Sequence, residues 1–84
     1  MEYQLRLKPR AEKELEKLPK HHQNRITNAM LKLRSNPWIG KKLDGEYDGQ
    51  YSLQVWPYRI IYHILKTNHL IIVVRAGHRQ NVYK

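Results

Sequence analysis

The sequence predicts an α+β domain in the order β-α-α-β-β-β, a helix hairpin packed on one face of an antiparallel sheet. Three observations predict it. Residues 51–83 hold three runs rich in Val, Ile, Tyr and Leu, separated by Trp56-Pro57 and by Lys66-Thr67-Asn68, which is the composition and spacing of an antiparallel meander. Residues 9–35 instead space their apolar side chains as helices do, with Pro19 dividing them. The length, 84 residues, allows one modest core and is too short for two.

In chain order, residues 3–7 alternate as a short strand that Lys8-Pro9 breaks, with Pro9 placed to open a helix. Ala11, Leu15 and Leu18 then share one helical face, and Glu12, Lys13, Glu14, Glu16 and Lys17 lie outside it. No Ser, Thr, Asp or Asn caps this helix. A second stripe runs through Ile26, Ala29, Met30 and Leu33 to the stop at Ser35-Asn36-Pro37. Two helices joined so tightly form a hairpin, which is expected to cover the apolar face of the sheet. Residues 36–50 read as a glycine-containing loop that Leu43, with Trp38, anchors to the core.

The meander can be registered from its turns. A two-residue turn at Trp56-Pro57 sets Val55 opposite Tyr58, Gln54 opposite Arg59 and Leu53 opposite Ile60. A three-residue loop with Asn68 left-handed sets Ile64 opposite Leu70, Ile60 opposite Val74 and Arg59 opposite Arg75. Leu53, Ile60 and Val74 should then share a buried layer. The other face carries Ser52, Gln54, Arg59, His63 and Arg75 among Ile61, Ile71 and Val73. Strand 58–65 is expected at the centre and the amino-terminal strand at an edge.

Sixteen Lys and Arg against seven Asp and Glu give a net charge of +9. All seven acids lie at or before Asp48, so the last 36 residues hold five bases and no acidic side chain. That imbalance suits nucleic acid or an acidic protein. The absence of cysteine removes disulfides and thiolate metal sites, and neither a signal-peptide pattern nor a membrane-length apolar run occurs, so a cytoplasmic location is expected. No Walker loop, dinucleotide fingerprint or HExxH is present. His21-His22 has no nearby acid to complete a metal site, and the reading needs neither metal nor cofactor.

What remains is the polar face of the meander and the tail from Gly77. Arg59 and Arg75 centre a cationic face with Gln54 beside them. Lys41 and Lys42 are either a solvated pair or phosphate contacts. Gly77 permits a change of direction that would swing His78 and Arg79 beside Arg59.

The element order, YR-x-x-Y at 58–62 and the ending GHR-x-x-VY at 77–83 resemble the RelE/ParE toxin superfamily, and its RelE branch most. The resemblance covers nearly the whole chain. It implies a toxin of a type II toxin–antitoxin pair that enters the ribosomal A site and cuts mRNA, partnered by an acidic, RelB-like antitoxin. The functional positions it implies are Arg59, Arg79 and Tyr83. Where RelE proteins carry basic residues this chain has Ser52 and Gln54, and Trp56-Pro57 replaces a glycine-containing turn.

Metal-independent RNA cleavage can use the 2′-hydroxyl as nucleophile, with a base, an acid and cations for the phosphorane. Arg59 and Arg79 suit charge stabilisation. His78 is the favoured proton carrier, His63 the second choice, and Tyr83 either stacks, assists proton transfer or simply packs the tail. Two other classes stay open: a ParE-like non-enzymatic inhibitor of DNA gyrase, and a basic RNA- or ribosome-binding domain without chemistry.

Overall fold

Residues 2–82 are described by a computed structural model. β1 (Gln4–Leu7) leads into α1 (Pro9–Glu16) and α2 (Lys20–Ser35), followed by β2 (Lys41–Lys42), β3 (Gln50–Val55), β4 (Tyr58–Leu65) and β5 (Leu70–His78). Pro9 opens α1, Pro19 stands at the N-cap of α2, and neither helix has a side-chain cap. The five strands are ordered β1-β5-β4-β3-β2. As expected, β4 is central and β1 lies at an edge.

The sheet is mixed rather than wholly antiparallel, because β1 pairs in parallel with β5. Lys41 and Lys42 form a short strand where the sequence predicts a loop. That segment is anchored from below. The buried Tyr62 hydroxyl donates to the Pro37 carbonyl at 2.8 Å and accepts the Gly40 N–H at 3.1 Å. Burial first, and Tyr51 after it, push the Tyr62 phenol up to about 12 against the opposing Gly40 N–H. Pro37 is buried, whereas Trp38 is exposed and touches Tyr51 edge-on. Gly40 is required here, since a Cβ would collide with the Tyr62 hydroxyl.

The β3–β4 hairpin has the expected register: Val55 with Tyr58, Gln54 with Arg59, Leu53 with Ile60. Its turn contains a cis Trp56–Pro57 peptide. The β4–β5 register differs. Leu65 pairs with Leu70, Ile64 with Ile71 and Tyr62 with Val73, and a bulge then sets Ile61 opposite Arg75 and Ile60 opposite Ala76. The loop holds one residue more than expected, and His69, not Asn68, is left-handed. A one-residue slip exchanges the faces of a strand. Ile71 and Val73 therefore enter the core, which Ile26, Met30 and Leu33 of α2 complete, while Ile72 is only partly buried. The expected Leu53–Ile60–Val74 layer does not form; Ala76 takes the third place, and Val74 is the extra residue of the bulge. Beyond the bulge the parity is restored, so Arg75 shares the face of Ile61, turned from the helices.

Candidate functional site

The face opposite the helices is built from rungs. Lys41, Ser52, Ile61 and Arg75 align in one, and Gln54, Arg59 and Gly77 in the next toward the Trp56-Pro57 turn. Lys42, paired with Tyr51, belongs to the other face. Ser52 is buried, and its hydroxyl accepts a hydrogen bond from Arg59 Nη1 at 3.4 Å. Among the described residues the ion pairs are Arg34–Glu2 and Arg75–Glu14, and neither involves Arg59. Arg59 thus presents a partly buried guanidinium beside neutral Ser52 and Gln54.

Arg75 is differently placed. Its Nε and Nη2 donate to the Glu14 carboxylate at 2.8–3.1 Å, its Nη1 donates to the Val82 carbonyl at 3.0 Å and its Nη2 also to that of Asn81 at 2.9 Å. The guanidinium that sequence reasoning offered to RNA is engaged in holding the tail. Glu14, assigned to the outer face of its helix, reaches inward instead. It accepts the Ala76 N–H at 3.1 Å, on the part of β5 beyond the end of β1, whose last pair is Leu7 with Val73. Burial raises the Glu14 pKa, but Arg75, the Ala76 N–H and Arg10 outweigh it and hold the carboxyl below its ordinary 4.5. Gly77 serves this contact, because a Cβ would sit 3.1 Å from Glu14 Oε2 and 3.5 Å from Val82 Cγ1. Spacing could not show this pairing, which joins residues 61 positions apart.

The tail does not swing at Gly77. β5 runs on through His78, which pairs with Tyr58 on the helix side, so His78 and Arg59 lie on opposite faces. His78 Nδ1 accepts the Gln80 N–H at 3.2 Å, and its ring meets Tyr58 edge-on. Beyond Tyr58 lies His22, whose pKa is lowered from 6.5 by desolvation first and then by His21 and Arg25. His63 shares the Arg59 face but sits four residues along the strand, roughly 13 Å away at the rise of a strand. Arg79 donates its N–H to the Pro57 carbonyl at 3.0 Å and lays its guanidinium 4.6 Å from the centre of the Trp56 ring. The structure therefore brings Arg79 to the Arg59 end of the sheet, but stacked on the turn. Tyr83 lies outside the described residues.

The reversed tail leaves Val82 buried at one side of a cleft of about 470 Å³, which Ile61, Val74 and Gln50 line together with Lys8 and Arg75. A second groove of about 550 Å³ runs between α2 and the 53–55 edge of β3, with Arg25 and Lys32 on its rim. Among the described residues no helix is long and apolar enough to cross a membrane.

Two helices over a five-stranded mixed sheet, with Arg59 on its open face, is the architecture of small basic toxin domains. The chain matches over residues 5–83 the family described as the ParE toxin of type II toxin–antitoxin systems. It belongs to that family, within the RelE/ParE superfamily. The toxin–antitoxin complex RelBE2 from Mycobacterium tuberculosis contains a chain 27% identical, with a TM-score of 0.88 over 94% of this chain and 100% of that one. The isolated RelE toxin of E. coli is 26% identical, with a TM-score of 0.80 over 96% and 90%. The archaeal RelE–RelB complex from Pyrococcus horikoshii gives 25%, 0.82, and coverage of 96% and 99%. No curated protein matches the chain.

Proposed function

We propose that this toxin is a metal-independent endoribonuclease that enters the ribosomal A site and cleaves mRNA by 2′-hydroxyl attack, and that an acidic antitoxin restrains it. The observation that carries the reading is Arg59, a partly buried cation on the open face whose hydrogen bond goes to a neutral hydroxyl. A guanidinium so placed can grip a phosphate with two prongs and stabilise the charge that develops on the phosphorane. Arg79, at the same end of the sheet, is the second cation, and Lys41 on the Ser52 rung is a backbone contact. Gln54, paired with Arg59, is a polar contact to the same backbone, and Lys42 is left to the ribosome. Arg75 positions the tail. The reading carries with it a cytoplasmic location, and titratable help comes from Tyr83 or from ribosomal groups.

Primer extension on mRNA in a reconstituted translation reaction tests this. Codon-positioned cuts are expected with the wild type, and Arg59→Ala should lower the rate by about a hundredfold, the usual cost of one lost charge-stabilising donor. Arg59→Lys should rescue partly, since a point charge lacks the planar fork. His78→Gln should retain most cleavage, because His78 faces away from Arg59. A large loss with His78→Gln would return this histidine to the chemistry.

The family match favours one second reading, a ParE-like inhibitor of DNA gyrase. Ser52 and Gln54, where basic residues are expected, support it too. DNA breaks with gyrase and intact mRNA in the same assay would select it.

A further inference from the structure

We propose that Trp56 is a stacking platform for an unpaired base of the RNA, next to the phosphate held by Arg59. The inference rests on the RNA-cleaving reading and adds a residue that the resemblance does not supply. Trp56 stands at the tip of the β3–β4 turn and is 56% exposed even with Arg79 against its ring. Leaving so large an apolar surface in water forgoes burial that would stabilise the fold, so an exposed indole invites an explanation.

The backbone of the turn is held from two sides. The Trp56 carbonyl accepts Arg25 Nη2 at 2.9 Å, and the next carbonyl, of Pro57, accepts the Arg79 N–H at 3.0 Å. Arg79 then packs its guanidinium on the indole at 4.6 Å, a cation–π geometry that favours this arrangement of the two side chains. Such preorganisation limits the entropy lost when a flat ligand arrives. Arg25 and Arg79 flank the turn, with His22 beside Arg25, and among the described residues neither arginine is paired with a carboxylate. An aromatic face with guanidinium neighbours is how single-stranded nucleic acid is gripped without reading its sequence. Trp56 lies two residues from Gln54, the partner of Arg59, roughly 7 Å of strand rise, and it also borders the groove beside α2. One nucleotide can engage both.

Two-dimensional ¹H–¹⁵N NMR of the full chain tests the proposal. Trp38 and Trp56 give separate indole Nε1–H signals that Trp56→Phe assigns, and Trp38, on the β2 side, is the internal control. Titration with a single-stranded heptaribonucleotide should move the Trp56 indole upfield, and a heptamer of abasic ribose phosphate should not. In the same titrations the Nε–H of Arg59 should move with both. Trp56→Ala should weaken binding of the base-bearing oligomer by about 5- to 100-fold, the range for one stacked base, and Trp56→Phe by much less. It should leave the abasic oligomer unaffected. Equal shifts with both oligomers would assign Trp56 to charge alone and overturn the platform. A silent Trp56 beside a responding Arg59 would overturn it and leave the RNA reading standing; silence at both would remove the two together. A Trp56 that responds to an acidic apolar peptide and not to RNA would make the turn a protein contact instead.

Discussion

Glu14 and Arg75 show how a residue can be legible in type and hidden in role. The side chains are 22% and 12% exposed, and the carboxylate takes two guanidinium donors and a backbone N–H. An arginine on the polar face was readable from strand alternation. Its partner was not, because Glu14 sits among solvated charges off the apolar stripe of α1, and periodicity is blind to a long side chain that reaches around an edge. Glu14→Gln should destabilise the domain by about 2 kcal/mol, since one partner of a largely buried pair is left unmatched. The pH dependence has a definite sign. A carboxyl held below 4.5 in the folded state contributes stability that is present above that value and lost as pH falls through the folded pKa. Urea unfolding at neutral pH and at about pH 3 should show the gap between wild type and Glu14→Gln closing in acid. A gap unchanged by acid would deny the coupling.

At the scale of elements, one hairpin was readable and the other was not. The β3–β4 register follows from a two-residue turn with apolar and polar residues alternating on both arms. The run Leu70-Ile71-Ile72-Val73-Val74 carries no alternation, so only the loop could decide which residues face inward. A four-residue loop with left-handed His69 flipped the parity, and the bulge at Val74 flipped it back before Arg75. The polar end of the strand was therefore placed on the right face while its apolar half was inverted. That inversion also thins the apolar patch expected beside the arginines, because Ile71 and Val73 belong to the core and Ile61 is 2% exposed. The structure makes a sharp forecast from this parity. Ile71→Ala should cost about 2–5 kcal/mol as a core truncation. Ile72→Ala, on a partly exposed neighbour, should cost less than about 1 kcal/mol. Chemical denaturation of the two variants measures the difference, and equal costs would contradict the register.

For the whole molecule, the net charge and its placement act together. The chain carries +9, and two of its seven acids, Glu2 and Glu14, are already matched by arginines. β3, β4 and β5 contain no carboxylate, so the open face they form presents Lys41, Arg59 and Arg6 beside Ile72 and Leu65. Relatives of similar fold are crystallised with antitoxins, as the RelBE2 and RelE–RelB complexes state. An acidic partner on this surface gains from charge and from the partly exposed apolar groups, and salt separates the two. The Debye length shrinks from about 10 Å at 0.1 M to about 3 Å at 1 M, so contacts at the rim fade while buried apolar contacts persist. The dissociation constant for the antitoxin should rise at least about tenfold between 0.1 and 1 M salt, mostly through slower association, and then level off instead of binding being abolished. Calorimetry with stopped-flow association rates reads both parts. An affinity indifferent to salt would remove charge from the recognition of this toxin, and complete loss at high salt would remove the apolar share.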